Sequence, residues 1–140
     1  MAVGFKTPIP APKLIFAWAD KVKAIATRDH MKYRDIYDVW FLLRQFKEVP
    51  GGDEARDAVS KVASLYDHDL LSVSAGLTNV IDGEAMSDVA AFKEDMAKWL
   101  DEDMFRSFDR ANFFDTILES VRNELTRANI LISEQPCPKM

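Results

Sequence analysis

Apolar residues recur along most of this chain at intervals of three and four, the period of an α-helix rather than of a strand. Leu14, Trp18, Val22 and Ile25 mark the first such face. Before it, the alternating prolines of Thr7-Pro8-Ile9-Pro10-Ala11-Pro12 fix an extended lead-in over residues 1–12, the only stretch where a strand is expected (3–10). Proline is tolerated in a first helical turn, so helix one runs from there to about Thr27. The polar stretch Arg28-Asp29-His30-Met31-Lys32 reads as a loop, and a second helix, Tyr33 to Phe46, buries Ile36, Val39, Leu42, Leu43 and Phe46. Pro50-Gly51-Gly52 ends it, and Asp53 is placed to cap a third helix with Ala55, Val59, Val62 and Tyr66 inward.

Leu70 to Ile81 is apolar and contains Gly76, which fits a short helix without demanding one. A fourth clear helix, Ser87 to Leu100, sets Val89, Phe92, Met96 and Trp99 on one side; a fifth, Asp109 to Ala128, shows Phe114, Ile117, Val121 and Leu125. The predicted fold is all-α: a helical bundle of four to six helices with an extended N-terminal lead-in. Its 140 residues suit one domain, residues 1–132, with a flexible tail at 133–140 marked by Pro136 and Pro138.

Composition changes this picture little. With 48% apolar and 29% charged residues the chain is ordinary globular material, so disorder is not the default. No run of about 18 apolar residues is available for a membrane-spanning helix. The first residues lack the core of a secretory signal. A lone cysteine, Cys137, excludes an internal disulfide and a thiolate metal cluster. Together these imply a cytoplasmic protein.

The net charge of −5 argues against a free-standing nucleic-acid binder. The charge is uneven, however. Lys21, Lys23, Arg28, Lys32 and Arg34 form a local basic cluster, whereas Asp82 to Asp109 is acid-rich.

On a wheel of about 100° per residue, Lys21 falls within the span of Leu14, Trp18 and Ile25, and Lys23 points the other way. Ala17, Ala24 and Arg28 lie beside Lys21, leaving room around two cations. A lysine on an apolar stripe needs an anion or a route to solvent. On the second helix Asp35 lines up with Val39, Leu42 and Phe46, and Asp38 follows one turn on. A first-turn carboxylate is favoured by the helix dipole, which accounts for an acid there but not for its facing inward. A cation on one helix and an anion on the next, joined by a short loop, imply either a structural ion pair or a polar site.

The residues Ala19-Asp20-Lys21-Val22-Lys23-Ala24-Ile25, then Arg28, then Lys32-Tyr33-Arg34-Asp35-Ile36-Tyr37-Asp38-Val39-Trp40-Phe41-Leu42-Leu43 resemble the second-half motifs of the AbiEii-type abortive-infection nucleotidyltransferase toxins. The resemblance covers residues 5–45; Asp20 stands where that family usually has glutamate. It implies that Lys21 and Asp35 are catalytic residues, Lys21 meeting the nucleoside triphosphate. Arg28, Lys32 and Arg34 join Lys21 as nucleotide-binding candidates, since arginine forks suit phosphate. Asp38 has a supporting place.

Such enzymes also carry a palm with a Gly-Ser turn and an Asp-x-Asp pair for magnesium. This sequence has no Gly-Ser dipeptide, and its acid-x-acid runs, Asp67-His68-Asp69 and Asp101-Glu102-Asp103, fall at predicted helix ends. They read as solvated helix-end charge, and His30 and His68 lack partners at ligand spacing. No metal ligand is assigned. The resemblance therefore implies a helical C-terminal portion that uses magnesium and nucleoside triphosphate only with a palm supplied in cis or in trans. A nucleic-acid acceptor would enter only then. An antitoxin protein and a second copy of the chain are the other expected partners. The competing expectation is a non-catalytic helical interaction module derived from such a toxin.

Overall fold

A computed structural model describes residues 11–46 and 51–133. Among them are seven α-helices and no strand: α1 (Ala11–Thr27), α2 (Tyr33–Leu43), α3 (Gly52–Ser64), α4 (Leu70–Asp82), α5 (Val89–Met96), α6 (Glu102–Arg110) and α7 (Phe113–Ser133), with a 3₁₀ turn, Glu84–Ser87, between α4 and α5. The fold is all-α, as the periodicity requires, with one helix more than the upper expectation. The expected strand and most of the lead-in lie outside the described residues, as does the tail beyond Ser133. Ala11 and Pro12 already belong to α1, consistent with proline's tolerance in a first turn.

Two long helices organise the core. α1 packs against α2, α3 and α4, and α7 packs against α2, α3, α4, α5 and α6. Trp18, Val22 and Ile25 of α1 are buried with Ile117, Val121 and Leu125 of α7, so both predicted stripes face inward. α4 resolves the ambiguous segment as a full helix, and Gly76 explains its position. A Cβ there would sit 1.9 Å from the Ala26 carbonyl oxygen, so only glycine lets the α4 backbone touch α1.

Three of the helices start on aspartate caps, each satisfying an amide that the first turn leaves open. Asp69 accepts from the Ser72 amide at 2.8 Å, Asp88 from Ala91 at 3.0 Å, and Asp101 from Met104 at 2.8 Å. Both acid-x-acid runs thus contribute a cap. Asp53 does not: α3 is capped by Gly51 without a side-chain bond, and Asp53 sits in the first turn beside Arg56.

Other differences have similar local causes. Tyr66, expected inward, is 56% exposed because α3 ends at Ser64 and the chain turns through Asp67 in the left-handed region (φ 60°). Trp99 lies beyond the end of α5 and is 38% exposed. α6 was not legible as a helix of its own. It buries no residue, leaning on α7 through half-buried Phe105 and Phe108, and the chain turns after it at Asn112 (φ 53°), so the last helix begins at Phe113 rather than Asp109. Edge and tilted ring contacts knit this end together: Trp40–Phe113 at 5.3 Å, Phe108–Phe113 at 5.0 Å and Phe92–Phe114 at 5.8 Å.

Candidate functional site

The seam between α1 and α2 carries the chemistry. α1 stops at Thr27, whose hydroxyl donates to the Lys23 carbonyl at 2.8 Å, and the chain re-enters helix at Tyr33. That short connection sets the two helices side by side. Lys21 on α1 then faces the first two turns of α2. Its Nζ lies 3.3 Å from Asp35 Oδ1 and 2.9 Å from Asp38 Oδ2. Arg28, just past the end of α1, donates from Nε to Asp35 Oδ2 at 2.6 Å. The inward-facing cation and anion expected from the wheel do meet.

The site is layered. Asp35 and Asp38 form its floor at 2% and 3% exposure, whereas the Lys21 side chain keeps 25% and Arg28 is exposed. Cations at the mouth over carboxylates at the base present positive charge outward. Asp38 is the acid least provided for: its Oδ1 is buried without a hydrogen-bond partner. Burial pushes its carboxyl above the usual carboxylate range, as does the charge of Asp35, against the hydrogen bond and charge of Lys21 and the charge of Arg34. Burial also opposes the Lys21 charge, but the hydrogen bond and charge of Asp38, followed by those of Asp35, outweigh it, and Lys21 stays protonated beyond the ordinary lysine value.

Lys32 and Arg34 do not join this cluster. They line a separate groove of about 350 Å³ with Met31, Tyr33, Asp95 and Trp99. The Arg34 guanidinium stacks on the Trp99 ring, 4.7 Å from its centroid, which accounts for an exposed tryptophan. Tyr33 donates its hydroxyl to the Ala85 carbonyl at 3.0 Å; burial and then the charges of Asp88 and Asp95 raise its pKa. The nucleotide-binding candidates therefore divide between two places: Lys21 and Arg28 at the seam, Lys32 and Arg34 in the groove. Lys23, on the other side of α1, sits 3.5 Å from the centre of the Tyr66 ring.

A second buried polar cluster went unread in the sequence. Trp18 donates from Nε1 to Glu124 Oε2 at 2.9 Å, and Arg127 reaches the same carboxylate with Nε at 2.7 Å and Nη2 at 2.8 Å. The signal was present: Glu124 interrupts the Val121–Leu125–Ala128 stripe as Lys21 interrupts that of α1. A further aromatic groove of about 290 Å³ lies between α2 and α6, where Arg44 stacks over Trp40 at 5.0 Å.

Among the described residues, the carboxylates singled out above do not fit magnesium: Asp35 and Asp38 are each paired with a cation, and Asp69 and Asp101 are helix caps. No group of three or more histidine, cysteine, aspartate or glutamate residues suited to a metal occurs among the described residues. Nor is any helix among them long and apolar enough to cross a membrane.

Comparison with curated proteins and with solved structures returned no match. The sequence profile described as "Nucleotidyl transferase AbiEii toxin, Type IV TA system" matches residues 5–124, most of the 140-residue chain and well past the motifs that first carried the resemblance. The chain whose α1–α2 seam joins Lys21, Arg28, Asp35 and Asp38 belongs to the AbiEii toxin nucleotidyltransferase family.

Proposed function

We propose that this chain is the helical, nucleotide-facing portion of a nucleotidyltransferase toxin, and that it acts with a palm supplied in cis or in trans. The observation that carries this reading is the seam itself, where a family match spans a lysine and an arginine presented outward over two buried carboxylates. In this reading Lys21 meets the triphosphate as a point charge and Arg28 adds a forked contact. Asp35 orients both cations, and Asp38 supports Lys21 from below. Lys32 and Arg34, in their own groove, serve a more distant part of the nucleotide or the nucleic-acid acceptor. Magnesium and the attacking hydroxyl belong to the palm: this sequence has no Gly-Ser dipeptide, and its two Asp-x-Asp runs sit at helix starts, where Asp69 and Asp101 serve as caps. An antitoxin is the partner that membership of the family makes plausible, and the cytoplasm the compartment.

One observation favours the alternative, a non-catalytic helical interaction module. Lys21 and Arg28 are already countered by Asp35 and Asp38, so the cluster is balanced in charge as a structural ion network. The two readings separate on one assay: incubation with labelled nucleoside triphosphates, magnesium and total RNA, with and without a palm-bearing protein. No transfer is expected from the chain alone, and transfer lost in Lys21→Ala is expected once the palm is added. Transfer by the chain alone, lost in Lys21→Ala, would mean a self-sufficient active site and defeat the proposal. Failure of a palm to elicit any transfer would favour the interaction module.

A further inference from the structure

The two seam carboxylates are not equivalent. Asp35 has two cations, Arg28 at 2.6 Å and Lys21 at 3.3 Å. Asp38 has Lys21 at 2.9 Å, its one ion-pair partner among the described residues, and its second oxygen has no hydrogen-bond partner. A polyphosphate that draws the Lys21 ammonium toward itself therefore leaves Asp35 still paired with Arg28. It leaves Asp38 as an ionised carboxylate in the interior. Water cannot take the place of the lysine, because the Asp38 side chain is 5% exposed. A buried carboxylate deprived of its cation neutralises rather than remaining charged.

We propose that Asp38 is a proton-accepting positioning residue: it sets the Lys21 ammonium before an anion binds, and a polyphosphate takes that ammonium only as Asp38 takes a proton from solvent. This deepens the reading of Lys21 as a phosphate contact and rests on it. The balance is simple. One proton moves from bulk water to the carboxylate of Asp38, the cluster passes from two positive and two negative charges to two positive and one negative, and the excess faces the anion. One O–H bond forms on Asp38 as one breaks on a hydronium ion or buffer acid of the solvent, and no bond between heavy atoms changes.

The surroundings agree. The charged groups facing Asp38 are Lys21 from α1 and, on its own helix, Asp35 and Arg34. Of the other helices packed against α2, α7 carries the buried carboxylate Glu124, committed to Trp18 and Arg127, and α5 carries Lys93, paired with Asp109, and Asp95, which lines the Arg34 groove. Burial and the neighbouring Asp35 already favour the neutral form of Asp38, so withdrawing Lys21 removes the largest influence holding it ionised.

The test is isothermal titration of the full chain with inorganic tripolyphosphate, in buffers of different ionisation enthalpy, which counts protons taken up. Wild type, Asp38→Asn and Lys21→Met are compared after circular dichroism has shown each to be helical. The probe's own protonation is common to all and cancels. Wild type is expected to take up about one proton more than Asp38→Asn. Its affinity should rise as the pH falls, with a limiting slope of about tenfold per pH unit beyond that of the variant. Equal proton counts in wild type and Asp38→Asn, with binding still lost in Lys21→Met, would overturn the role of Asp38 and leave the phosphate reading intact. Binding undiminished in Lys21→Met, or no binding to wild type, would defeat the phosphate reading and this inference with it. Should Asp38→Asn not fold, infrared difference spectra of wild type decide the matter. A protonated-carboxyl band appearing with tripolyphosphate is the expected result, and no such band is the contrary one.

Discussion

Two buried polar clusters hang from successive turns of α1, and they are built on opposite principles. At Glu124 supply and demand match: Trp18 and Arg127 between them satisfy both carboxylate oxygens, and the charge there is one acid against one base. At the seam with α2, two buried acids converge on one lysine, and an oxygen of Asp38 is left without a partner. A satisfied network locks a core in register, whereas a partly satisfied one stores unrelieved cost. Natural folds retain such cost mostly where something other than stability is served. The Trp18–Glu124–Arg127 cluster therefore reads as a fastener between α1 and α7, and the seam, in the function proposed above, as a place kept ready for an anion.

Substitutions can break this contrast. The largest effect is expected from Lys21→Ala, which leaves both carboxylates facing each other in the interior. Removing one side of a buried ion pair costs about 3–5 kcal/mol, and the partial exposure of Lys21 sets the value toward the lower end. Urea unfolding at neutral pH measures it. A loss confined to a few tenths of a kcal/mol would mean that water already serves the two acids.

Next comes Glu124→Gln, where the amide keeps one acceptor for Trp18 but turns a donor toward Arg127. A loss of about 1–3 kcal/mol is expected from the unpaired donors. Arg127, held above its ordinary value by its hydrogen bond to Glu124 and then by that carboxylate's charge, loses this support without leaving its charged state.

The smallest change is expected from Asp38→Asn, within about 1 kcal/mol of wild type at neutral pH, because it relieves the crowding of acids while Lys21 keeps Asp35. The sign with pH follows from linkage. A carboxyl whose folded value is raised binds its proton more readily in the folded state. Its stabilising contribution is thus complete only below the ordinary 3.8 and is lost as the pH climbs through the raised value. Asp38→Asn should therefore gain on wild type toward neutral pH and lose that advantage toward acid. At the alkaline end the Lys21 contribution is complete below 10.5 and disappears as the pH passes its raised value. Thermal melts of the two proteins from acid to neutral pH check the first window. A gap that widens toward acid would reverse the assignment.

Much of the seam was legible because it obeys one rule: a charged residue at a helical spacing that otherwise carries apolar ones. Lys21 and Asp35 stand out on wheels whose remaining members are core, and the short loop between the helices makes them meet. Lys32 and Arg34, expected with Lys21 as nucleotide-binding residues, lie apart from the seam because proximity in sequence is not proximity on a wheel. Arg34 is rotated about 100° from Asp35 and finds Trp99 instead. Glu124 obeyed the same rule as Lys21 and was overlooked among the stronger apolar signals of α7. α6 escaped for the converse reason. It buries nothing, so its pattern of Met104, Phe105 and Phe108 lies in a strongly charged run where the Asp101 cap reads only as another acid. The close pass of α4 over α1 was carried by a single residue, Gly76, whose meaning depends on a neighbour far away in sequence.

The most direct measurement is equilibrium dialysis of the full chain against a labelled nucleoside triphosphate, comparing Lys21→Met with Glu124→Gln at matched stability. The expected result is weak, salt-sensitive binding by wild type, reduced about tenfold or more in Lys21→Met by loss of a charge-assisted contact and retained in Glu124→Gln. Equal binding by both variants, or loss in Glu124→Gln alone, would contradict the assignment of the seam as the anion site.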